Sequence, residues 1–556
     1  MKDVLRDLLR RTVLDLVARK IINLPENSLP SVEISKTKEE RFGDYATNVA
    51  LILAGPTRRR PKEIAALIRD NLNPDEAFIN KIEIAGPGFL NFFLDPDVWR
   101  NTLKRIHREK EWYGHTTAKP SRKILLEFVS ANPTGPLHVG HGRGAAVGDT
   151  LARLLRACGH EVHTEYYVND TGNQMRILGR SVLFRYRELQ GEAITFPENH
   201  YRGNYIREIA AQLSQTEMGR TLLILPEEEA IEIAGDYACK EILQGIQEDL
   251  RLFGVTHDSY FREKHLHREG LIHEALAQLR NCGRVEEKDG ALWFAMDDKE
   301  DEKDRVLVRS SGEPTYFAAD VAYHRDKFRR GYEKLIDIWG SDHHGYVPRV
   351  RAAVEAMGYD PSTLHILLVQ FVTLVKDGKK ISMSTRSGEF VTLREVLDEV
   401  GADAARFFFL TKRSDSHLDF DLDLAKKCSK DNPVYYVQYA HARVSSIFRI
   451  AAERGIDTDL TSPDLSLLML SEERKLMKHL ADFPDMLAEA GATLEPHRIT
   501  FYLMELAELF HGYYHDNRVL IEEPGMKKAR LFLVEAVRQV IANGLAILGV
   551  SAPDRM

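Results

Sequence analysis

The chain has 556 residues, 44% hydrophobic and 29% charged, and a formal net charge of −8. One hydrophobic core cannot serve that length, so two to four domains are expected, in a composition ordinary for a globular protein of the cytosol. The acidic balance argues against a protein that coats nucleic acid indiscriminately, but a local basic surface could still steer a polyanion. In chain order, Val4, Leu5, Leu8, Leu9, Val13, Leu16 and Val17 recur at helical spacing, which predicts an opening amphipathic helix. Asp3, Asp7 and Asp15 interrupt it in a way no secretory signal tolerates well. A small α/β region follows. Phe42-Gly43-Asp44-Tyr45-Ala46 leads a helix, and Ile82–Ile84 and Phe89–Phe93 read as strands around Gly86-Pro87-Gly88. This region ends near Arg108.

Ile124–Val129 is an apolar strand, Ser130–Pro136 a loop, and Ala145, Ala146, Leu151, Leu154 and Leu155 mark the helix after it. Val162–Val168 is the next strand, so a βαβ unit seeds a parallel sheet. Residues 175–304, rich in charged helical patterns, read as an insertion. The alternation resumes with the strand Lys334–Trp339, then a helix, then a strand Leu364–Leu374. From Thr392 the pattern is almost wholly helical, with a linker at Glu453–Ser466. No run of about 18 apolar residues is evident, so no membrane span is expected.

The chemistry concentrates at His138-Val139-Gly140-His141, where a loop becomes a helix. Amide hydrogens at a helix start are unpaired and the dipole there favours phosphate. Two imidazoles three residues apart share one face of the first turn, and Gly140 leaves room for a flat base, so the pattern suits ATP held for attack at its α-phosphate. Other readings stay open at this point. A metal pair would need further ligands, and Cys158, Cys239, Cys282 and Cys428 lie too far apart to supply a zinc ribbon or a disulfide framework. Gly140, Gly142 and Gly144 superficially imitate a dinucleotide fingerprint with Glu165 near the ribose-binding position, although Ser130–Val139 separates them from the strand. Incidental histidines on a packed helix are the bland alternative.

Asn132–His141 (NPTGPLHVGH) resembles the "HIGH" region of class I aminoacyl-tRNA synthetases, in the form used by arginyl-tRNA synthetases. Glu127–Asn132, Tyr166–Gln174, Tyr316–Asp320, Trp339–Gly345, Asn432–Arg443, Phe42–Tyr45, Gly86–Phe89 and the ending Asp554-Arg555-Met556 resemble the same family, over nearly the whole chain. The resemblance implies a multidomain α/β protein built on a Rossmann-type parallel sheet with an insertion. An N-terminal α/β appended domain and an all-α C-terminal anticodon-binding domain flank it. The expected boundaries are 1–108 for the tRNA-contacting appended domain, 120–390 for the catalytic domain with 175–304 mostly insertion, 391–430 for linker helices, and 431–556 for the anticodon domain.

The resemblance places Glu127, Asn132, Tyr316 and Asp320 in an arginine pocket. The chemistry agrees, since a guanidinium is a flat fork of donors that carboxylates and an aromatic face complement. It implies ATP contacts from Pro133, Gly135, His138, Gly140, His141, Asp342 and Ser384. Asp377–Gly388 resembles the partner loop, but Ser382 and Thr385 replace both lysines of the KMSKS pattern, so Lys379, Lys380 and Arg386 are expected to neutralise pyrophosphate beside His138 and His141. His343 and His344 suggest zinc only weakly, and no structural metal is expected. Tyr435, Tyr436, Gln438, Tyr439, His441 and Arg443 interleave aromatic and polar groups as single-stranded RNA readers do, although composition alone favours helix packing for most of them. Arg58-Arg59-Arg60 is a phosphate contact or a solvated turn.

The implied reaction has two steps: activation of L-arginine by Mg–ATP to arginyl-adenylate, then transfer to the terminal adenosine of tRNA(Arg) through its 2′-hydroxyl, with tRNA needed for the first step. A cytoplasmic monomer is expected. Two rivals remain: another adenylyl-transferring enzyme using the same helix, and a non-catalytic synthetase-like RNA-binding protein, suggested by the missing lysines.

Overall fold

The computed structural model describes residues 1–25, 32–37, 39–72, 78–116, 120–296, 305–381 and 391–556. They form two compact units, one from residues 1–114, 444–486 and 508–540, the other from residues 115–443, 487–507 and 541–556.

In the first unit the predicted opening helix spans Lys2–Ala18 and buries Leu5, Leu8, Leu9, Val13 and Leu16. An antiparallel sheet follows, in the order Ser35–Lys36, Tyr45–Thr47, Phe89–Leu94, Ile79–Ala85. Gly86 and Gly88 turn between the last two strands at φ +52 and +144, as their glycine composition requires. Phe42–Ala46 does not run directly into a helix. Gly43, at φ +83, brings the backbone so near Phe92 that a Cβ would lie 2.5 Å from its carbonyl oxygen, and Tyr45–Thr47 pairs with Phe89–Leu94 before the helix Val49–Thr57 begins. Arg58–Arg60 is the exposed turn between that helix and Pro61–Asn71.

The second unit contains a five-stranded parallel sheet. Counted along the chain, its strands are Lys123–Glu127, Glu161–Val168, Ser259–Arg262, Lys334–Gly340 and Leu364–Val369, and they lie in the order 3-2-1-4-5. Ile124, Leu125 and Leu126 are wholly buried, as a central strand covered on both faces demands. Order reverses between the first and fourth strands, which opens a crevice at their carboxyl ends, where doubly wound sheets bind ligands.

Two expectations change here. Residues 175–304 are not one insertion: the helices Gly172–Leu189, Asn204–Ser214 and Glu227–Leu252 precede the third strand, and a small antiparallel sheet (Val285–Lys288, Ala291–Phe294, Arg305–Val308) follows it. Ser259–Arg262 is a short, half-buried edge strand whose sequence lacks an apolar run, so its pairing with Glu165–Val168 is tertiary information. Leu364–Leu374 is not one strand either. Leu364–Val369 closes the parallel sheet, while Val372–Lys376 joins Leu418–Asp421 in parallel and Lys379–Lys380 in antiparallel fashion. The latter hairpin turns at Asp377-Gly378, both with positive φ, the chemistry a two-residue turn favours.

Beyond Thr392 the helices Leu393–Val400, Ala402–Phe409, Pro433–Glu453, Ser471–Thr493, His497–Asp516 and Pro524–Leu548 dominate, with Leu418–Asp421 the exception. Pro524–Leu548 is long and apolar enough to cross a membrane by composition, contrary to the expectation that no such segment exists, but most of it is buried within the fold, as in a core helix.

Candidate active site

After Glu127 the chain turns sharply. Val129 and Ser130 hold φ of +70 and +42, conformations costing about 1–3 kcal/mol each for residues with a Cβ. The turn is tied down by Ser130, whose hydroxyl donates to Glu127 Oε1 at 2.8 Å and accepts from the Tyr167 amide at 3.1 Å. Next, Tyr166 donates to the Ala131 carbonyl at 2.8 Å and Tyr205, from the helical insertion, to the Thr134 carbonyl at 2.7 Å. Gly135 faces the Tyr205 hydroxyl, which a Cβ would approach to 3.1 Å. The Asn132–Pro136 loop is thereby fixed from both sides.

His138 caps the helix Val139–Ala157. Its Nδ1 accepts from the amides of Gly140 and His141 at 3.1 and 3.4 Å, and its own amide donates to His141 Nδ1 at 3.3 Å. The rings stack with centroids 3.6 Å apart. A ring nitrogen that accepts leaves its hydrogen on the other, so both histidines are set as Nε2–H donors. Burial lowers both pKa values, His141 to about 3, and both rings are neutral at pH 7; Asp342 acts in the opposite sense on His138. Gly140 has room for nothing larger, since a Cβ would meet His138 Cε1 at 2.9 Å.

Residues 382–390, which include Ser384 and Arg386, lie outside the described residues. Their exit is stitched to the histidine cap: the Val139 amide donates to Val391 O at 3.3 Å and the Leu393 amide to Leu137 O at 2.7 Å. Lys379 and Lys380 stand exposed at their entrance, Lys380 3.6 Å from Asp419. Arg143, wholly buried, donates to the carbonyls of Gln370, Ser416 and Arg413 at 2.8 Å each, joining the histidine helix to the crossing between the two sheets.

At the switch point a cavity of about 230 Å³ is lined by Glu127, Asn132, Asp320, Tyr346, Trp339 and His343, among others. It is smaller than the roughly 300–1,000 Å³ of drug-sized pockets, in keeping with an amino-acid-sized ligand. Asp320 accepts from the Tyr346 hydroxyl at 2.5 Å. Burial raises its pKa to about 6, with the Tyr346 bond pulling the other way, and among the described residues no lysine or arginine pairs with it. Glu127 faces the same cavity but is already held by Lys327 at 2.5 Å. Tyr316 starts the helix Tyr316–Arg329 and is half exposed, its hydroxyl lying against Gly172 rather than in the cavity wall. Asp342 and His344 are exposed beyond the fourth strand.

Glu165 belongs to the framework. It is buried within the second strand, accepts both terminal nitrogens of Arg330 at 2.7 and 2.8 Å, and accepts the Tyr323 hydroxyl at 2.7 Å, which makes Glu165 unavailable to a ribose and removes the dinucleotide reading. Gln438 and His441 are buried and engaged within the protein, Gln438 with Asp403 and Ser551, His441 with the Pro553 carbonyl at 2.9 Å. Tyr435 and Tyr439 stack, Arg443 lies over the Tyr439 ring, and with Tyr436 they are half-buried. Sequence reasoning missed Lys327 and Tyr346. A partial signal for the first existed: Asp320, His324 and Lys327 lie at spacings of four and three on one face of the helix, although Arg325, Asp326 and Arg329 are charged as well.

Comparison with known proteins agrees with this geometry. Residues 102–421 match the family "tRNA synthetases class I (R), catalytic domain", residues 4–94 "Arginyl tRNA synthetase N terminal domain", and residues 437–556 "DALR anticodon binding domain". A parallel sheet with a histidine-capped helix at its switch point is thus the catalytic core of a class I aminoacyl-tRNA synthetase. The chain is 52% identical to an arginine–tRNA ligase from Desulfosudis oleivorans and 50% identical to one from Syntrophotalea carbinolica, each over 96% of both chains. It also superposes on the arginyl-tRNA synthetase of Thermus thermophilus with a TM-score of 0.78, at 25% identity and over all of both chains. The chain belongs to the arginine–tRNA ligase family, and its activity is the ATP-dependent charging of tRNA(Arg) with arginine.

Proposed function

We propose that arginine is activated in the cavity between the first and fourth strands, its guanidinium paired with Asp320 and Glu127 and its polar head near Asn132. The observation that carries this reading is Asp320, a partly buried carboxylate lining the cavity with no lysine or arginine partner among the described residues. An arginine guanidinium supplies that partner bidentately, and a shorter or neutral side chain leaves the acid desolvated and unpaired, a penalty that discriminates strongly. Tyr316 lies outside the cavity wall and is not assigned to the guanidinium. ATP lies over Gly140 against Pro133 and Gly135, with Asp342 and Ser384 as further contacts.

The arginine carboxylate oxygen attacks the α-phosphorus, the bond to the bridging oxygen breaks, and pyrophosphate leaves. His138 and His141 donate through Nε2 to phosphate oxygens as charge builds, without changing protonation state. Lys379, Lys380 and Arg386 neutralise the leaving group in place of the usual loop lysines. Magnesium accompanies ATP as part of the substrate. Residues 1–108 and 431–556 contact tRNA(Arg), the latter at the anticodon through the half-buried Tyr435, Tyr436 and Arg443; Gln438 and His441 shape that surface from beneath. The protein works as a monomer in the cytoplasm.

Arginine-dependent pyrophosphate exchange with tRNA present tests the pocket. Asp320→Asn raises the arginine KM by about 100-fold or more, as expected for an unpaired buried partner, and leaves the ATP KM within a few-fold. An unchanged arginine KM, or a rise confined to ATP, would remove Asp320 from the arginine site.

A further inference from the structure

Glu165, Glu127 and Asp337 stand in register on the second, first and fourth strands, side by side across the sheet. Strands lie about 4.8 Å apart, and three buried carboxylates at that spacing cannot all stay ionised without cations. Arg330 serves Glu165. Glu127 and Asp337 share Lys327, wholly buried on the helix Tyr316–Arg329, whose ammonium lies 2.5 Å from Glu127 Oε2, 2.7 Å from Asp337 Oδ1 and 4.4 Å from the centre of the Tyr323 ring. Asp337 is also faced by His324 Nε2 at 2.9 Å, and Glu127 by the Ser130 hydroxyl. Of the three acids only Glu127 lines the cavity, across from Asp320.

We infer that Lys327 is a positioning residue for arginine recognition: seated between Glu127 and Asp337, it holds the Glu127 carboxylate in place for the substrate guanidinium. Without the ammonium, two neighbouring buried carboxylates would retain one proton between them. Asp337 keeps a second partner in His324 Nε2, whereas the other partner of Glu127 among the described residues is the Ser130 hydroxyl, so the shared proton would fall to Glu127. Glu127 would then present an acid group where the guanidinium needs a carboxylate. The inference rests on the reading that this cavity takes arginine.

Arginine-dependent pyrophosphate exchange between pH 6.5 and 9, with arginine and ATP varied separately, tests it on three variants. Lys327→Met is expected to raise the arginine KM about tenfold or more at neutral pH, and that KM should fall as the pH is raised. The ATP KM should stay within about twofold. Removing the competing acid as well, in Lys327→Met/Asp337→Asn, should return the arginine KM to within about threefold of the unmodified protein with a flat pH profile, because a buried ion pair replaced by neutral groups of similar size is tolerated. Equal increases in both KM values, an arginine KM without pH dependence, or no recovery in the double variant would overturn the inference. If Lys327→Met does not fold, the double variant decides by itself, through recovered or impaired arginine KM. Glu127→Gln separates the two layers: an unchanged arginine KM removes the arginine pocket reading, whereas a raised one with no response at Lys327 removes only the role of Lys327.

Discussion

The Leu393 amide donates to the Leu137 carbonyl at 2.7 Å, so the chain leaving residues 382–390 is paired to the segment that enters the His138 cap. Thr392, opposite His138 in that pairing, caps the next helix in turn, with Glu395 returning the bond. The segment entering the His138 cap and the segment Val391–Leu393 are therefore paired through backbone hydrogen bonds.

Asp320 sets a pH dependence for arginine binding. The guanidinium needs the ionised acid, and the raised pKa of about 6 places half-protonation there in the free protein. Arginine KM is therefore expected to be flat above that value and to rise about tenfold per pH unit below it. Binding should release protons near pH 6, seen by calorimetry in buffers of different ionisation enthalpy. Asp320→Asn abolishes both effects.

His138 and His141 behave oppositely. Their lowered pKa values, about 3 for His141, keep His141 neutral across pH 5–9. Its titration should leave no inflection in kcat over that range. His141→Asn and His138→Asn each lower kcat by about 10²–10³, the usual cost of one preorganised donor, and the double variant loses less than the product because the stacked rings act together. Steady-state exchange rates check this, and an inflection in kcat that vanishes in His141→Asn would contradict the assigned neutral state.

Gly148 sits where the histidine helix crosses Phe128, and a Cβ there would lie 2.2 Å from Phe128 Cγ. Gly148→Ala is expected to lower stability by about 1–3 kcal/mol despite the better helix propensity of alanine. Phe128→Leu in the same chain should recover part of the lost Tm. A Tm equal to or above that of the unmodified protein would refute the crossing.

Arg143 satisfies three carbonyls at the seam between the parallel sheet and the Val372–Lys376 hairpin. Arg143→Met removes charged donors from buried acceptors and should cost at least about 3 kcal/mol in chemical denaturation. Because Gln370 and Ser416 flank the strand leading to Lys379 and Lys380, kcat should fall further than arginine KM rises.

Part of the structure around His138 was legible beforehand because it is local. A histidine that caps a helix, a glycine that cannot carry a side chain beside it, and an Asp-Gly turn before two lysines each depend on neighbours in the chain. Tyr316 and Asp320 were placed in one pocket by the family resemblance, yet of the two only Asp320 reaches the cavity, since Tyr316 opens the first turn of its helix and its hydroxyl lies near Gly172. Gln438 and His441 looked like RNA-facing groups in a run of aromatic residues, but their partners are Asp403, Ser551 and Pro553, more than 30 residues away. The third strand was hidden because an edge strand of four residues carries no periodic signal.

The sequence by itself determined the helix start at His138, the strand–helix alternation, the missing loop lysines, and through its motifs the family. Only the tertiary structure decided the strand order that puts Glu127 beside Asp337 and Glu165, and with it which acids are paired with lysine or arginine within the protein and that Asp320, among the described residues, is not. Local hydrogen bonding and periodicity are written along the chain. Charge compensation in a buried sheet depends on which strands become neighbours, and that is fixed only when the chain packs.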